Sequence, residues 1–326
     1  MLVNSGTSKI KKMKSSLPDL SKYRSDFLNK GISYPLPTSV SSKQGLLKVL
    51  PKVKADQSGW PYTEETKPSI YDGQRIWPKI TIVTPSYNQD KFIEETIRSV
   101  LLQNYPNLEY IIIDGGSTDS TLEILKKYSP WISYWQSEKD SGQGHAINLG
   151  FSLASGYYYA WINSDDYYLK SVFKTVVSTF LNSNTEFVYG FGGNMLNKSQ
   201  RVEEFRVRRL FDYFLRIPSL FQPSCFWKAD IHQPIWEELE CSLDYELWLR
   251  MIKGKRKIRI KKLLSVANVH VNAKTYDPKM KSAWERDHHL ICSVDAHGPV
   301  YNWDKLIFMN SLYLKITRII EKVTFS

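Results

Sequence analysis

Between Lys79 and Asn182 the chain switches repeatedly between two hydrophobic patterns, and that alternation limits its fold more than any other feature. KITIVT (79–84), held between Pro78 and Pro85, and LEYIIID (108–114) are short β-branched runs that read as buried strands. ISYWQSE (132–138) and the aromatic run YYYAWINSDD (157–166) read as two more. Between and after them, KFIEETIRSVLLQ (91–103), STLEILKKY (120–128), HAINLGFSLA (145–154) and KSVFKTVVSTFLN (170–182) carry apolar residues at helical spacing. Ser120 and Glu123 are spaced for a capping box at the start of one of these helices. Strand and helix in strict alternation predict a parallel sheet covered by helices on both faces.

The pattern loosens on either side. Residues 1–78 scatter Pro, Ser and Lys with little periodicity and are expected to form a partly ordered N-terminal extension. Beyond 182, EFVYGFGG (186–193) and RVEEFRV (201–207) read as strands, with a bulge or bend at the glycines. SLDYELWLRMIK (242–253) reads as an amphipathic helix, and KIRIKKLLSVANVHV (257–271) as one or two short strands. The expected division is an N-terminal extension (1–78), an α/β domain (79–275) and a C-terminal helical segment (276–326).

In open parallel α/β sheets, ligands bind beyond the carboxyl ends of the strands. Here those ends carry TPSYN (84–88), DGGSTD (114–119), EKDSGQG (138–144) and NSDD (163–166), so four polar clusters must share one edge. No GxxxxGK[ST] loop occurs, and no GxGxxG follows the first strand, so a phosphate would have to be held another way. The adjacent carboxylates Asp165 and Asp166 offer oxygen ligands to a hard divalent ion such as Mg or Mn, which could neutralise a departing diphosphate.

Residues 79–275 resemble the family 2 glycosyltransferases, in order, through ITIVTPSYNQ, ETIRSVLLQNYPNLEYIIIDGGSTDST, SEKDSGQGHAINLGF, NSDDYY, QPSCFW and LDYELWLR. The resemblance implies a GT-A fold: a Rossmann-like, mostly parallel sheet flanked by helices, with a mixed acceptor-side half and C-terminal helices. It implies an inverting, metal-dependent transfer of sugar from a nucleotide-diphosphate sugar, a UDP-sugar first, to a saccharide or lipid-linked acceptor in surface polysaccharide assembly. By the same resemblance Pro85 and Tyr87 would lie by the nucleoside and Asp114 would bond the base. Asp165 and Asp166 would stand for the acidic DXD motif, with Ser164 in place of its first acid. Asp166 and His270 would hold the metal, and Asp244 would be the general base.

Plain structural roles compete at each position. Asp165 and Asp166 could cap the helix near Lys170, Asp114 could be a turn residue, and Glu246 could replace Asp244 as base. His270 could be a satisfied strand histidine, His288 and His289 sit in a charged stretch expected at the surface, and KGKRKIRIKK (253–262) suits a solvated face.

A formal net charge of +11 attracts anions in general without choosing among them. A sugar nucleotidyltransferase would carry a Gly-rich basic loop after the first strand, where this chain has TPSYNQDKF. A non-catalytic basic protein binding nucleic acid or membrane would leave four converging polar clusters unexplained, so no nucleic acid partner is expected. Three unspaced cysteines and no apolar run of spanning length point to the cytoplasm. Apolar residues at helical spacing among the lysines of 305–325 suggest peripheral contact with the inner face of a membrane.

Overall fold

Asp19 accepts the Ser21 N–H at 3.0 Å and so starts helix α1 (Leu20–Asn29). The computed structural model describes residues 16–73, 76–196, 201–209, 220–270, 273–274, 277–293, 308, 311–313, 315–316 and 319. Helix α1 and the loops after it do not trail away from the α/β unit. Phe27, Leu36, Leu46, Leu50, Tyr71 and Trp77 all join the one hydrophobic core. The segment lacks periodicity because it is fixed by single anchors and not by a repeating face. Its chief anchor is Arg98, which is 1 % exposed. Its guanidinium donates to the carbonyls of Pro51 (3.1 Å), Pro61 (3.0 Å) and Tyr62 (2.8 Å), and to the Tyr128 hydroxyl (3.0 Å).

Strand β1 (Ile80–Ser86) is buried along its whole length and is followed by α2 (Ile93–Leu101). Then come β2 (Leu108–Asp114), α3 (Thr121–Tyr128), β3 (Tyr134–Ser137), α4 (Gln143–Leu153) and β4 (Tyr158–Trp161). These strands pair in parallel in the order β3-β2-β1-β4, as their alternation with helices requires. Tyr110, Ile111, Ile112 and Ile113 of β2 are fully buried, which is why that strand shows no polar face. The proposed capping box at α3 does not form: Ser120 makes no side-chain cap, and Asp119 instead accepts the Thr121 N–H at 3.0 Å.

The second half adds β5 (Asp166–Tyr168), α5 (Val172–Leu181), β6 (Phe187–Leu196), β7 (Val202–Phe205), β8 (Cys225–Lys228), α6 (Leu243–Met251), β9 (Lys257–Val269) and α7 (Lys281–Ser293). Among the described residues nine strands form one sheet, which continues from β4 through β8, β6 and β9 to β5, with β7 on β6. The joins β4–β8 and β6–β8 are antiparallel, so the sheet is parallel on the first side and mixed on the second. Residues 257–269 make one long strand and not two short ones, and its register against β6 shifts at Gly190–Gly192, where the glycine run predicted a bulge. Among the described residues no helix is long and apolar enough to cross a membrane.

Candidate active site

The parallel order of β1 to β4 brings their carboxyl ends, and the polar clusters that follow them, to one edge of the sheet. The loops there are stitched to each other. The Asn88 N–H donates to Ser117 Oγ at 2.7 Å, the Thr118 N–H to Asn88 Oδ1 at 2.8 Å, and the Asp90 N–H to Asp119 Oδ2 at 3.1 Å.

Asp114 pairs in register with Ser86 and is fully buried. Its carboxylate accepts the N–H groups of Gly116 (3.2 Å) and Ser117 (2.8 Å) and the hydroxyls of Ser117 and Ser137 (both 2.6 Å). That is the turn role foreseen for it, and it leaves the loop rigid at the strand end. Gly116 sits at φ +82°, a left-handed conformation that a side chain would strain, while a Cβ on Gly115 would meet the Asp140 carboxylate at 3.1 Å. Pro85 is buried opposite Ile113, whereas the Tyr87 ring, just beyond β1, is 60 % exposed and free to stack on a planar ligand.

The two adjacent acids do not cap a helix. Asp166 opens β5, pairing with Ala267 of β9, and α5 begins only at Val172. The same pairing brings the end of β9 alongside the acids. His270 Nε2 lies 3.0 Å from Asp165 Oδ2, and its ring stacks on Phe92 with centroids 4.5 Å apart. Burial, and then the charge of Asp165, push the Asp166 carboxyl well above the usual carboxylate range. Asn163 Nδ2 donates to Asp166 Oδ2 at 3.3 Å. Gln143 at the start of α4 donates to Asn163 Oδ1 (2.9 Å), and Lys274 Nζ donates to Gln143 Oε1 (3.1 Å). A polar relay therefore joins an ammonium to the acidic turn.

Among the described residues no three His, Cys, Asp or Glu side chains are grouped closely enough to hold an ion by themselves. Mg-type ions do not require it, since one or two carboxylates plus substrate phosphates and waters suffice. At 3.0 Å His270 Nε2 and Asp165 Oδ2 are hydrogen-bonded, the satisfied role foreseen for the histidine, and a bound ion would replace that bond. Two adjacent carboxylates, one of them buried and raised by the other's charge, are also groups a cation would relieve. The donor set therefore fits a divalent ion completed by a ligand's oxygens.

Helix α6 supplies the third element. Trp248 stacks on Trp161, the last residue of β4, with ring centroids 5.5 Å apart. Asp244 lies one turn before Trp248 on the same helix face. Burial raises its carboxyl, with backbone N–H groups of the first turn acting against the shift. Burial, and then the charge of Asp244, push up the Cys225 thiol at the start of β8, beside the carboxyl end of β4. Glu246 is not free to act as base: it is fully buried and held by Arg250 through two bonds of 2.6 and 2.7 Å. Sequence reasoning missed Gln143, Asn163 and Lys274 as site residues, although the first two lie in the polar strand-end clusters that marked the edge. Lys274 had no such signal.

A polar edge on an open α/β sheet, with an acidic turn and a carboxylate of raised pKa, defines a candidate ligand site. Residues 81–223 match the profile of "Glycosyl transferase family 2". The chain is 41 % identical over 96 residues to TuaG of Bacillus subtilis, a glycosyltransferase whose name ties it provisionally to teichuronic acid biosynthesis; the match covers 28 % of this chain and 38 % of TuaG. It is 28 % identical over 177 residues to Escherichia coli WfgD, a UDP-Glc:alpha-D-GlcNAc-diphosphoundecaprenol beta-1,3-glucosyltransferase, covering 53 % of this chain and 70 % of WfgD. The crystal structure of TarS from S. aureus shares the fold, with a TM-score of 0.51 at 20 % identity over 66 % of this chain and 39 % of TarS. The chain thus spans under two fifths of the length of TuaG.

Proposed function

We propose that the protein transfers a sugar from a nucleotide-diphosphate sugar, a UDP-sugar, to a hydroxyl of a saccharide or lipid-linked acceptor in polysaccharide assembly, with inversion at the anomeric carbon. The observation that carries this reading is the acidic turn at the strand-end edge of the sheet, with His270 3.0 Å from Asp165. The UDP choice is supported by the name of WfgD, as is the lipid-linked acceptor.

In this reading the exposed Tyr87 ring stacks on the base. Pro85 and the rigid Asp114 turn shape the nucleoside pocket. Asp166, Asp165 and His270 would hold a Mn or Mg ion, which supplies charge neutralisation at the leaving diphosphate. Lys274, tied to the turn through Gln143 and Asn163, adds a second positive charge on that side. Asp244 takes the proton of the acceptor hydroxyl as its oxygen bonds to the anomeric carbon. The bond from that carbon to the diphosphate oxygen breaks on the opposite face, and the nucleoside diphosphate leaves with the electron pair. Work on a lipid-linked acceptor would bring the protein to the cytoplasmic face of a membrane.

The test is nucleoside diphosphate release from a panel of UDP-sugars with polyprenyl-diphosphate and saccharide acceptors, with and without Mn. Release that requires an acceptor and fails with chelator is expected. No release from any donor would overturn the reading, and release indifferent to chelator would remove the ion from it.

A further inference from the structure

The acidic turn is held in place from outside itself. The carbonyls of all three of its residues accept side-chain bonds from other elements. Thr96 Oγ1 in α2 lies 2.9 Å from the Ser164 carbonyl and 2.6 Å from that of Asp166. Asn268 Nδ2 in β9 donates to the Asp165 carbonyl at 2.9 Å. The second N–H of that same nitrogen donates to Glu95 Oε2 in α2 at 3.0 Å. Tyr62 lies within electrostatic reach of Glu95, whose charge, after burial, pushes the phenol's pKa up. Tyr62 follows Pro61, whose carbonyl is among those bound by Arg98.

We infer that Asn268 and Glu95, steadied by Tyr62 from the N-terminal segment, are positioning residues that fix the Asp165–Asp166 turn for its divalent ion. The inference rests on the proposed ion site. Asn268 is aimed by two acceptors, a carboxylate and a carbonyl, and only its NH₂ group satisfies both, so its amide has one usable orientation. Burying Glu95 is costly and raises its carboxyl. The cost makes sense if the carboxylate serves as the acceptor that orients Asn268. Phe92, three residues earlier on α2's side, meanwhile stacks on His270. One short stretch, Phe92 to Thr96, therefore braces the acidic turn and the histidine together. Tyr62 and Asn268 both lie outside the residues 81–223 that match the family profile. In this chain the ion site is braced partly by segments beyond that match.

The experiment is calorimetric titration of MnCl₂ into the full-length protein with UDP present, alongside thermal melting without Mn. Outer-shell partners of metal ligands typically set metal affinity by about 10–100-fold. Asn268→Ala and Glu95→Ala are expected to weaken Mn binding by that order. Glu95→Gln keeps an acceptor oxygen for Asn268 and should restore most of it. Tyr62→Phe, which removes one hydroxyl, should weaken binding about two- to tenfold. Mn affinity in Asn268→Ala equal to wild type overturns the inference and leaves the ion site standing. No Mn binding by the wild type overturns both. If Asn268→Ala gives no cooperative melt, Tyr62→Phe and the Glu95 pair decide by the same criterion: a loss that Gln does not rescue, in step with a lowered melting temperature, marks a merely structural role and overturns the inference.

Discussion

Replacing Arg98 by Met tests whether residues 16–78 belong to the folded unit. The side chain is 1 % exposed, so the change leaves its partners without access to water. Three backbone carbonyls, of Pro51, Pro61 and Tyr62, and the Tyr128 hydroxyl lose a charged donor at 2.8–3.1 Å. Each buried acceptor left unmatched costs about 1 kcal/mol or more, and bonds to a charged group are worth about 1.5–3 kcal/mol. Relief of the guanidinium's own desolvation and the packing of the Met side chain offset part of this. The net loss works out at about 3–5 kcal/mol. At about 2–4 °C per kcal/mol for a large domain, the melting temperature should fall by on the order of 10 °C. The local signature is more specific. Lys52 and Lys54 are exposed and stand next to the freed Pro51 carbonyl, so trypsin should cut after them well before the rest of the chain opens. Arg98→Lys, which keeps the charge with fewer aimed donors, should fall between. A melting temperature within about 3 °C of wild type, with no early cleavage near Lys52, would show that the segment is held by something other than Arg98.

Asp244→Asn should lower kcat by about 10²–10⁴-fold with donor affinity unchanged. Glu246→Gln should act on stability instead, because its carboxylate is committed to Arg250; a Glu246 variant that loses kcat alone would move the base by one position pair. Because the working form of Asp244 is the carboxylate and burial raises its pKa, kcat/KM should fall as pH drops through a value above the ordinary aspartate range. An acid limb at the usual Asp value would remove that assignment. His232, packed against Phe151 and Trp227, has its pKa lowered to about 3 by burial and then by Arg250. Its folded pKa lies below the unfolded one, so stability is present above about pH 6.5 and is lost as pH falls toward 3. Between pH 7 and pH 5 the loss should be about 2 kcal/mol. Urea midpoints for the wild type and His232→Leu should converge as pH drops, and parallel slopes would refute the linkage. The described C-terminal helical residues Phe308, Leu312, Ile316 and Ile319 are 46–68 % exposed at spacings of four and three, beside the exposed Lys315. Full-length protein should therefore sediment with vesicles containing phosphatidylglycerol at low salt and be released by high salt. Failure to sediment, or a dimer that buries this face, would count against membrane contact.

How much of this was legible differs from one half of the chain to the other. The strand–helix alternation of 79–182 rests on local periodicity, and β2 appears at the residues LEYIIID where the pattern placed it. The convergence of four polar clusters followed from parallel order alone. Residues 1–78 were read as a partly ordered extension because the anchoring of 16–73 carries no periodic signal. Arg98 binding three carbonyls, or Asn104 Nδ2 donating to Glu65 (2.8 Å) and to the Thr66 carbonyl (2.7 Å), is a set of single contacts between distant residues. The amphipathic stretch of 305–325 lies mostly outside the described residues. Of its expected stripe, Leu306, Met309, Tyr313, Ile316, Ile320 and Val323, the described members are Tyr313 and Ile316. Tyr313 is turned to the protein, where its hydroxyl donates to the Arg209 carbonyl, while Ile316 is exposed. Ile316 thus belongs both to the expected stripe and to the exposed residues, while the exposed Phe308, Leu312 and Ile319 were not in that stripe.

The acidic turn shows where sequence reading stops. Asp165 and Asp166 could be located from the pattern, and a cap for the helix near Lys170 was a fair competing role for them. What removes that role is a register. Asp166 pairs with Ala267 across a separation of about a hundred residues, and that single pairing makes the acid part of a strand. It also fixes which residues of β9 arrive beside the turn: Asn268 against the Asp165 carbonyl, then His270 against its carboxylate. A slip of one residue would turn every side chain of that strand end to the opposite face and remove both contacts. No local spacing encodes such a register. Leu264, Ser265 and Val266, consecutive in β9 and therefore buried on both of its faces, hold it. Packing four to six residues upstream sets the register, and the His270 ring then takes up its stack on Phe92 and its contact with Asp165.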